Sequence, residues 1–149
     1  MLGILTGMVA GLGTITPASG FVGPFGAVVI GLSAGVVCYF ATQLLKQRLK
    51  VDDSLDVSPV HGVGGVIGTL LTAVFAATTL GGTGYTVQSS MAAQLGVQAL
   101  GVAAAVLWCG VVTWGLLKIL QVFMPLRVSD EQETEGLDLA SHGERGYSP

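Results

Sequence analysis

Residues 1–45 carry no formal charge, and neither do residues 57–117. No other feature restricts the fold so severely. A helix needs roughly 20 apolar residues to cross the hydrocarbon core of a bilayer, and both runs are longer. Only 10% of the chain is Asp, Glu, Lys or Arg, against roughly 25% in an average soluble domain, and the mean hydropathy is +0.74. That supply of charge cannot cover a water-facing surface. An open strand in lipid would leave backbone N–H and C=O groups unsatisfied. The expected fold class is therefore all-α, a polytopic membrane helix bundle.

Breaks in the apolar runs divide them into four transmembrane helices, at about residues 2–16, 24–45, 56–77 and 92–123, within a membrane region of residues 1–124. Residues 125–149 form a hydrophilic tail with a short helix. The first helix is cut by Pro17 and Gly20 and is barely long enough to span. The last exceeds a span, so it should tilt or project. No basic segment precedes the first apolar stretch, so no cleaved signal peptide is expected. Lys46, Arg48 and Lys50 lie between the second and third helices, and Arg127 follows the fourth. The other two loops hold no Lys or Arg. The positive-inside rule then puts the middle loop, the chain start and the tail in the cytoplasm of a multi-pass protein of the plasma or inner membrane.

Gly accounts for 23 residues, and several fall four apart: Gly3, Gly7 and Gly11; Gly31 and Gly35; Gly64 and Gly68. Small residues at this spacing let membrane helices approach closely, which predicts packing rather than a function. Cys38 and Cys109 both read as small buried hydrophobes, and two isolated cysteines make no metal-site spacing. No metal or cofactor is expected. After Met124-Pro125 the chain turns acidic, and Ser129 followed by Gln132 has the spacing of a capping box. A short helix should start there and end at Gly136. The alternative is a disordered acidic tail. Leu137, Leu139 and Tyr147 favour docking on a surface.

His61 is the most informative residue for chemistry. Five positions past Asp56, it lies roughly 7–8 Å into the third helix at about 1.5 Å per residue. An ionisable side chain inside a span marks a functional site by default. A neutral imidazole donates and accepts at once, which suits moving a proton or a hydrogen-bonding solute. The alternative is a packed histidine satisfied by a backbone carbonyl and a neighbouring Ser or Thr. Asp53 reads first as a helix cap. Val57, four residues before His61, shares its face, and reads as ordinary packing unless His61 lines a pathway. Pro59 should free a backbone carbonyl nearby. The chain contains no phosphate-binding loop, nucleophile elbow, zinc-protease or CxxC motif, so an enzyme is not expected. It has no basic patch for nucleic acid. Trp108 and Trp114 read as packing or interface anchors, and His142 as solvated or part of a docking surface.

Three stretches together resemble the ammonium transporter family: Ala-Gly-Leu-Gly-Thr-Ile-Thr-Pro-Ala-Ser-Gly at residues 10–20, Val-Asp-Asp-Ser-Leu-Asp-Val-Ser-Pro-Val-His-Gly-Val-Gly-Gly at 51–65, and the tail from Leu126 to Tyr147. The tail is similar to the bacterial, archaeal and plant-type branch rather than to Rhesus glycoproteins. The resemblance implies spans eight to eleven of an eleven-span fold built from two inverted repeats and assembled as a homotrimer. It makes His61 the second of a pair of central pore histidines, Val57 a pore-lining residue and Asp53 the acidic residue at the start of the second repeat. It implies that the tail, with Gly136, Asp138, His142, Gly143 and Tyr147, couples subunits and helps dock the nitrogen regulatory P-II protein. The first repeat, with its histidine, outer ammonium site and phenylalanine gate, has no counterpart in this sequence. Half an inverted-repeat pore does not enclose a pathway. The expected function is ammonium or ammonia transport as the C-terminal part of a transporter, inactive by itself, from a truncated product, an incomplete gene or one piece of a split gene. The alternative is a regulatory half-subunit that binds full-length trimers or a P-II partner.

Overall fold

The computed structural model describes residues 2–86 and 90–146. Those residues contain five α-helices: α1 Leu2–Ile15, α2 Pro24–Gln43, α3 Gly64–Phe75, α4 Met91–Phe123 and α5 Asp130–Glu135. Among the described residues there is no strand, in keeping with the all-α expectation. Residues 1–105 form one compact unit and residues 106–149 a second.

Local sequence sets each boundary in the first unit. α1 ends at Ile15 because Pro17 cannot supply the next ladder donor. The chain tightens there into a 3₁₀ turn, Thr16–Ala18, and reverses through Gly20 at φ +83°. α2 opens with Pro24 in its first turn, where a missing N–H costs nothing. It then runs on into a π-helical turn, Leu44–Arg48. The third helix likewise begins as a π turn, Ser58–Val63, with Pro59 in its first turn. Among the described residues three segments are long and apolar enough to cross a membrane: Pro24–Arg48, Ser58–Phe75 and Met91–Phe123. The fourth expected span is the shorter apolar helix Gly3–Ala18. The proline break leaves it below that length.

α3 packs against both α1 and α2. The glycines of α3 decide how closely. A Cβ on Gly64 would lie 2.7 Å from Thr14 Oγ1 and 3.3 Å from Cys38 Sγ, and one on Gly68 would overlap the Thr14 carbonyl. On α2, a Cβ on Gly26 would sit 2.9 Å from Phe75 Cβ. Around these contacts Ala18, Ile30 and Phe75 form one buried cluster, and Ala10, Cys38 and Val60 another. The other glycine ladders behave differently. A Cβ on Gly3, Gly7, Gly11, Gly31 or Gly35 would meet nothing within 4 Å, and Gly3, Gly7 and Gly35 border a cavity between α1 and α2.

The two ends of this unit are fastened by different means. At one end, Thr83 N–H donates to Phe21 O at 3.0 Å and Gly84 N–H to Ala76 O at 2.7 Å, joining the α1–α2 loop and the loop after α3. At the other, Lys46 Nζ and Asp56 Oδ1 pair at 2.8 Å, closing the connection between α2 and α3. Asp56 takes φ +56°, a left-handed conformation that Asp tolerates better than most residues. The helix therefore starts after Asp56 rather than at it. Asp53 caps that start: Oδ1 accepts from Val57 N–H at 2.9 Å and Oδ2 from Ser58 N–H at 2.7 Å.

α4 has no buried residue. Cys109 is accordingly exposed, contrary to expectation, while Cys38 is buried. Trp108 and Trp114 also stand open. In the second unit Ser129 Oγ accepts from Gln132 N–H and Gln132 Oε1 accepts from Ser129 N–H, a complete capping box. The box forms, so α5 is ordered at its start, and Gly136 at φ +99° ends it. Arg127 pairs with Glu133 at 3.1 Å across the helix start.

Two outcomes follow for stability. Gly68→Ala should destabilise the protein by about 1–3 kcal/mol, the usual cost of overpacking, whereas Gly35→Ala should be neutral or stabilising; thermal unfolding in detergent compares them, and equal effects would contradict the packing described. Asp53→Ala should lower the melting temperature at neutral pH. The N–H groups of Ser58 and then Val57 hold the Asp53 carboxyl below the usual carboxylate range, so its contribution is present above the unfolded-state pKa and lost as pH falls through the lower folded value. Wild type and Asp53→Ala should converge below that value, and a deficit that persists in strong acid would argue against the cap.

Candidate functional site

The start of the third helix gathers the residues singled out in the sequence. Asp53 anchors its first N–H groups, Asp56 is tied to Lys46, and the π turn Ser58–Val63 carries His61. A π turn widens the helix by one residue per turn and recurs at functional sites. Here Pro59 lacks the N–H that a regular ladder would use. Val60 N–H still reaches Asp56 O at 3.0 Å. Pro59 and Val60 are buried against the bundle, while Val57 and His61 are exposed. The turn thus fixes its buried side and presents its imidazole on the other.

His61 lies beside α1. A Cβ built on Gly13 would be 4.0 Å from His61 Nδ1, an ordinary van der Waals separation. Among the described residues His61 makes no hydrogen bond or ion pair. Next to Gly13, Thr14 is fully buried and its hydroxyl faces Gly64. Neither Gly13 nor Thr14 was marked by composition or spacing. Their role comes from α1 meeting α3, which no local pattern encodes.

The predicted residues are brought together unequally. Asp53 and Val57 are joined directly, carboxylate to N–H. His61 follows on the same helical segment. A cavity of about 310 Å³ beside α1 and α2 is bordered by Ala10, Cys38, Asp56 and Val60, and His61 is not among its lining residues. The arrangement has no nucleophile or metal cluster: no group of three or more His, Cys, Asp or Glu residues able to hold a metal occurs among the described residues. What it offers is an imidazole within an apolar segment, with a capped helix start and an ion pair on the loop side.

In the second unit, the tail positions form a chain of local turns. Gly136 and Gly143 take φ +99° and +66°, values that favour glycine. Between them Asp138 and His142 begin and end a π turn, Asp138–His142. Ala140 N–H donates to Gly136 O at 2.9 Å and Glu144 N–H to Asp138 O at 3.1 Å. At the N-terminus of α5 the Glu131 carboxyl is held below its usual range, first by its own N–H and then by the Ser129 hydroxyl. Tyr147 lies outside the described residues.

Comparison with known proteins gives these features a context. The pattern of the Ammonium Transporter Family matches residues 1–147. The ammonium transporter of Bacillus subtilis is 40% identical over 148 residues, covering 99% of this chain and 37% of that protein. That of Aquifex aeolicus is 43% identical, covering 99% and 34%, and ammonium transporter 1 of Dictyostelium discoideum is 37% identical, covering 97% and 31%. The chain thus spans about a third of the length of these curated relatives. A match that takes in the glycine-packed helices, the histidine turn and the capped tail without a break places this chain in the ammonium transporter family.

Proposed function

We propose that this chain contributes part of a transmembrane pathway for ammonium or ammonia, with His61 at the pathway and Val57 beside it. The observation that carries this reading is the exposed, unbonded imidazole of His61, held by a π turn within an apolar helix beside α1. A neutral imidazole accepts an N–H with one nitrogen and donates with the other. It can therefore replace part of the hydration lost by a small nitrogenous solute entering an apolar environment. Asp53 acts at the loop end by fixing the helix start and hence the height of His61. The remaining walls of the pathway come from outside these helices, since one face of His61 is open. A homotrimer in the plasma or inner membrane, with the tail in the cytoplasm, completes the reading.

The tail supports a second, compatible role, as a docking element for a P-II type regulator or a neighbouring subunit. Its capping box, Arg127–Glu133 pair and two left-handed glycines give Ser129–Gly143 a defined local shape where composition alone allowed disorder. Gly136, Asp138, His142, Gly143 and Tyr147 are the proposed contact residues.

In a transporter containing this chain, His61→Ala should reduce methylammonium uptake into vesicles by tenfold or more, or alter its selectivity. Wild-type uptake and selectivity would remove His61 from the pathway. Deleting residues 129–149 should abolish co-purification with a P-II protein or with full-length subunits, and undiminished recovery would rule out the docking role.

A further inference from the structure

Two widened turns lie at the ends of the loop between α2 and the third helix. After α2, Leu49 N–H donates to Leu44 O, five residues back, and Val51 N–H to Leu45 O, six residues back, each at 3.0 Å. Lys46 sits inside that π turn. In the third helix, Gly64 N–H reaches Pro59 O, again five residues back. The Lys46–Asp56 pair at 2.8 Å joins the two turns. Asp56 Oδ1 is buried and accepts no hydrogen bond among the described residues, so the Lys46 charge is what compensates it. The Asp56 carbonyl in turn accepts Val60 N–H at 3.0 Å, which ties the pair to the residue next to His61.

The third helix is therefore pinned at two points eight positions apart, Asp56 by Lys46 and Gly64 by its contact with Thr14 and Cys38. A π turn is rare and accommodates one extra residue in a helical turn, which suits a segment held at both ends. We infer that Lys46 is a positioning residue for His61: through Asp56 it holds the π turn that aims the imidazole, although it belongs to a different helix. Freeing the Asp56 end lets the turn return to regular geometry. A change of register by one residue rotates the positions before Gly64 by about 100°, taking Val60 off the bundle side and His61 off its open face. Asp53 sets where the helix begins, and Lys46 sets how the turn is rotated. The consequence for transport rests on the role proposed for His61, whereas the coupling itself does not.

Diethyl pyrocarbonate reads this coupling without any transport. The chain has two histidines, and His142, exposed in the tail, is an internal reference for His61. The purified protein in detergent is treated briefly, and ethoxycarbonylation of the two rings is followed by mass spectrometry. In Lys46→Met the rate at His61 relative to His142 should fall by about threefold or more, a modest coupling for residues in one contact network. Lys46→Arg should keep the wild-type ratio, and so should Arg48→Met, which removes a charge from the same turn without touching the pair. An unchanged ratio in Lys46→Met would overturn the inference, even with a lowered melting temperature, since a merely stabilising pair leaves the ratio unmoved. An equal fall in Lys46→Arg or Arg48→Met would overturn it too. If Lys46→Met does not fold, Asp56→Asn decides, because Asn tolerates the left-handed backbone and lacks the charge. The same fall is expected there, and a wild-type ratio would overturn the role of the pair. Wild-type uptake in His61→Ala would remove the transport role and leave this ratio as it is.

Discussion

The approach of α3 to α1 at Gly64 and Gly68 is the contact on which the rest of the first unit depends. Lipid tails are as apolar as Leu or Ile, so little is gained by hiding apolar surface from them, and helices in a membrane associate through packing and polar contacts instead. The exposed side chains fit this: Ile4, Leu12, Leu32 and Phe40 face outward, while alanine, glycine and threonine occupy much of the interior. Each interatomic contact contributes only about 0.1–0.2 kcal/mol, so many must form at short range. Glycine makes that possible. With a Cβ at Gly68 the Thr14 carbonyl would be displaced, α1 would move outward, and the Ala10–Cys38–Val60 cluster and the Gly13–His61 juxtaposition would loosen together.

The site inherits its geometry from that contact and from the polar fastenings at the helix start. Asp53 satisfies two N–H groups that would otherwise lack partners, and the Lys46–Asp56 pair fixes where the loop ends. Pro59 then allows a π turn in place of a regular one, which leaves Val60 inside and His61 outside. None of these groups performs chemistry in the reading given above. They hold an imidazole within an apolar segment, where its hydrogen-bonding capacity has the largest effect.

Much of this was legible before any coordinates. His61 stood out because an ionisable residue interrupts a long uncharged run. The capping box at Ser129 and Gln132 and the stop at Gly136 were readable because they are local, three and seven residues apart. The proline breaks marked the helix ends for the same reason. The glycine ladders were less informative. All three have the same spacing, yet only Gly64 and Gly68 are in close contact. Spacing identifies a face on which another helix can sit, and does not say whether one does. Gly26, outside any ladder, meets Phe75 as closely as most of them could. Cys109 failed in the same way: an apolar run says that a residue avoids water, and lipid meets that requirement as well as a protein core.

The sequence by itself determined the solvent, the helical class and the local starts and stops, because these follow from charge content, backbone hydrogen bonding in lipid and short-range steric preferences. Only the tertiary structure decided which glycines act, that Lys46 reaches Asp56, that Thr14 lies under Gly64, and that Thr72, Thr83 and Gln98, from three separate segments, line one cavity. Those facts join residues distant in the chain, and their pairing depends on how rigid helices come to rest against one another.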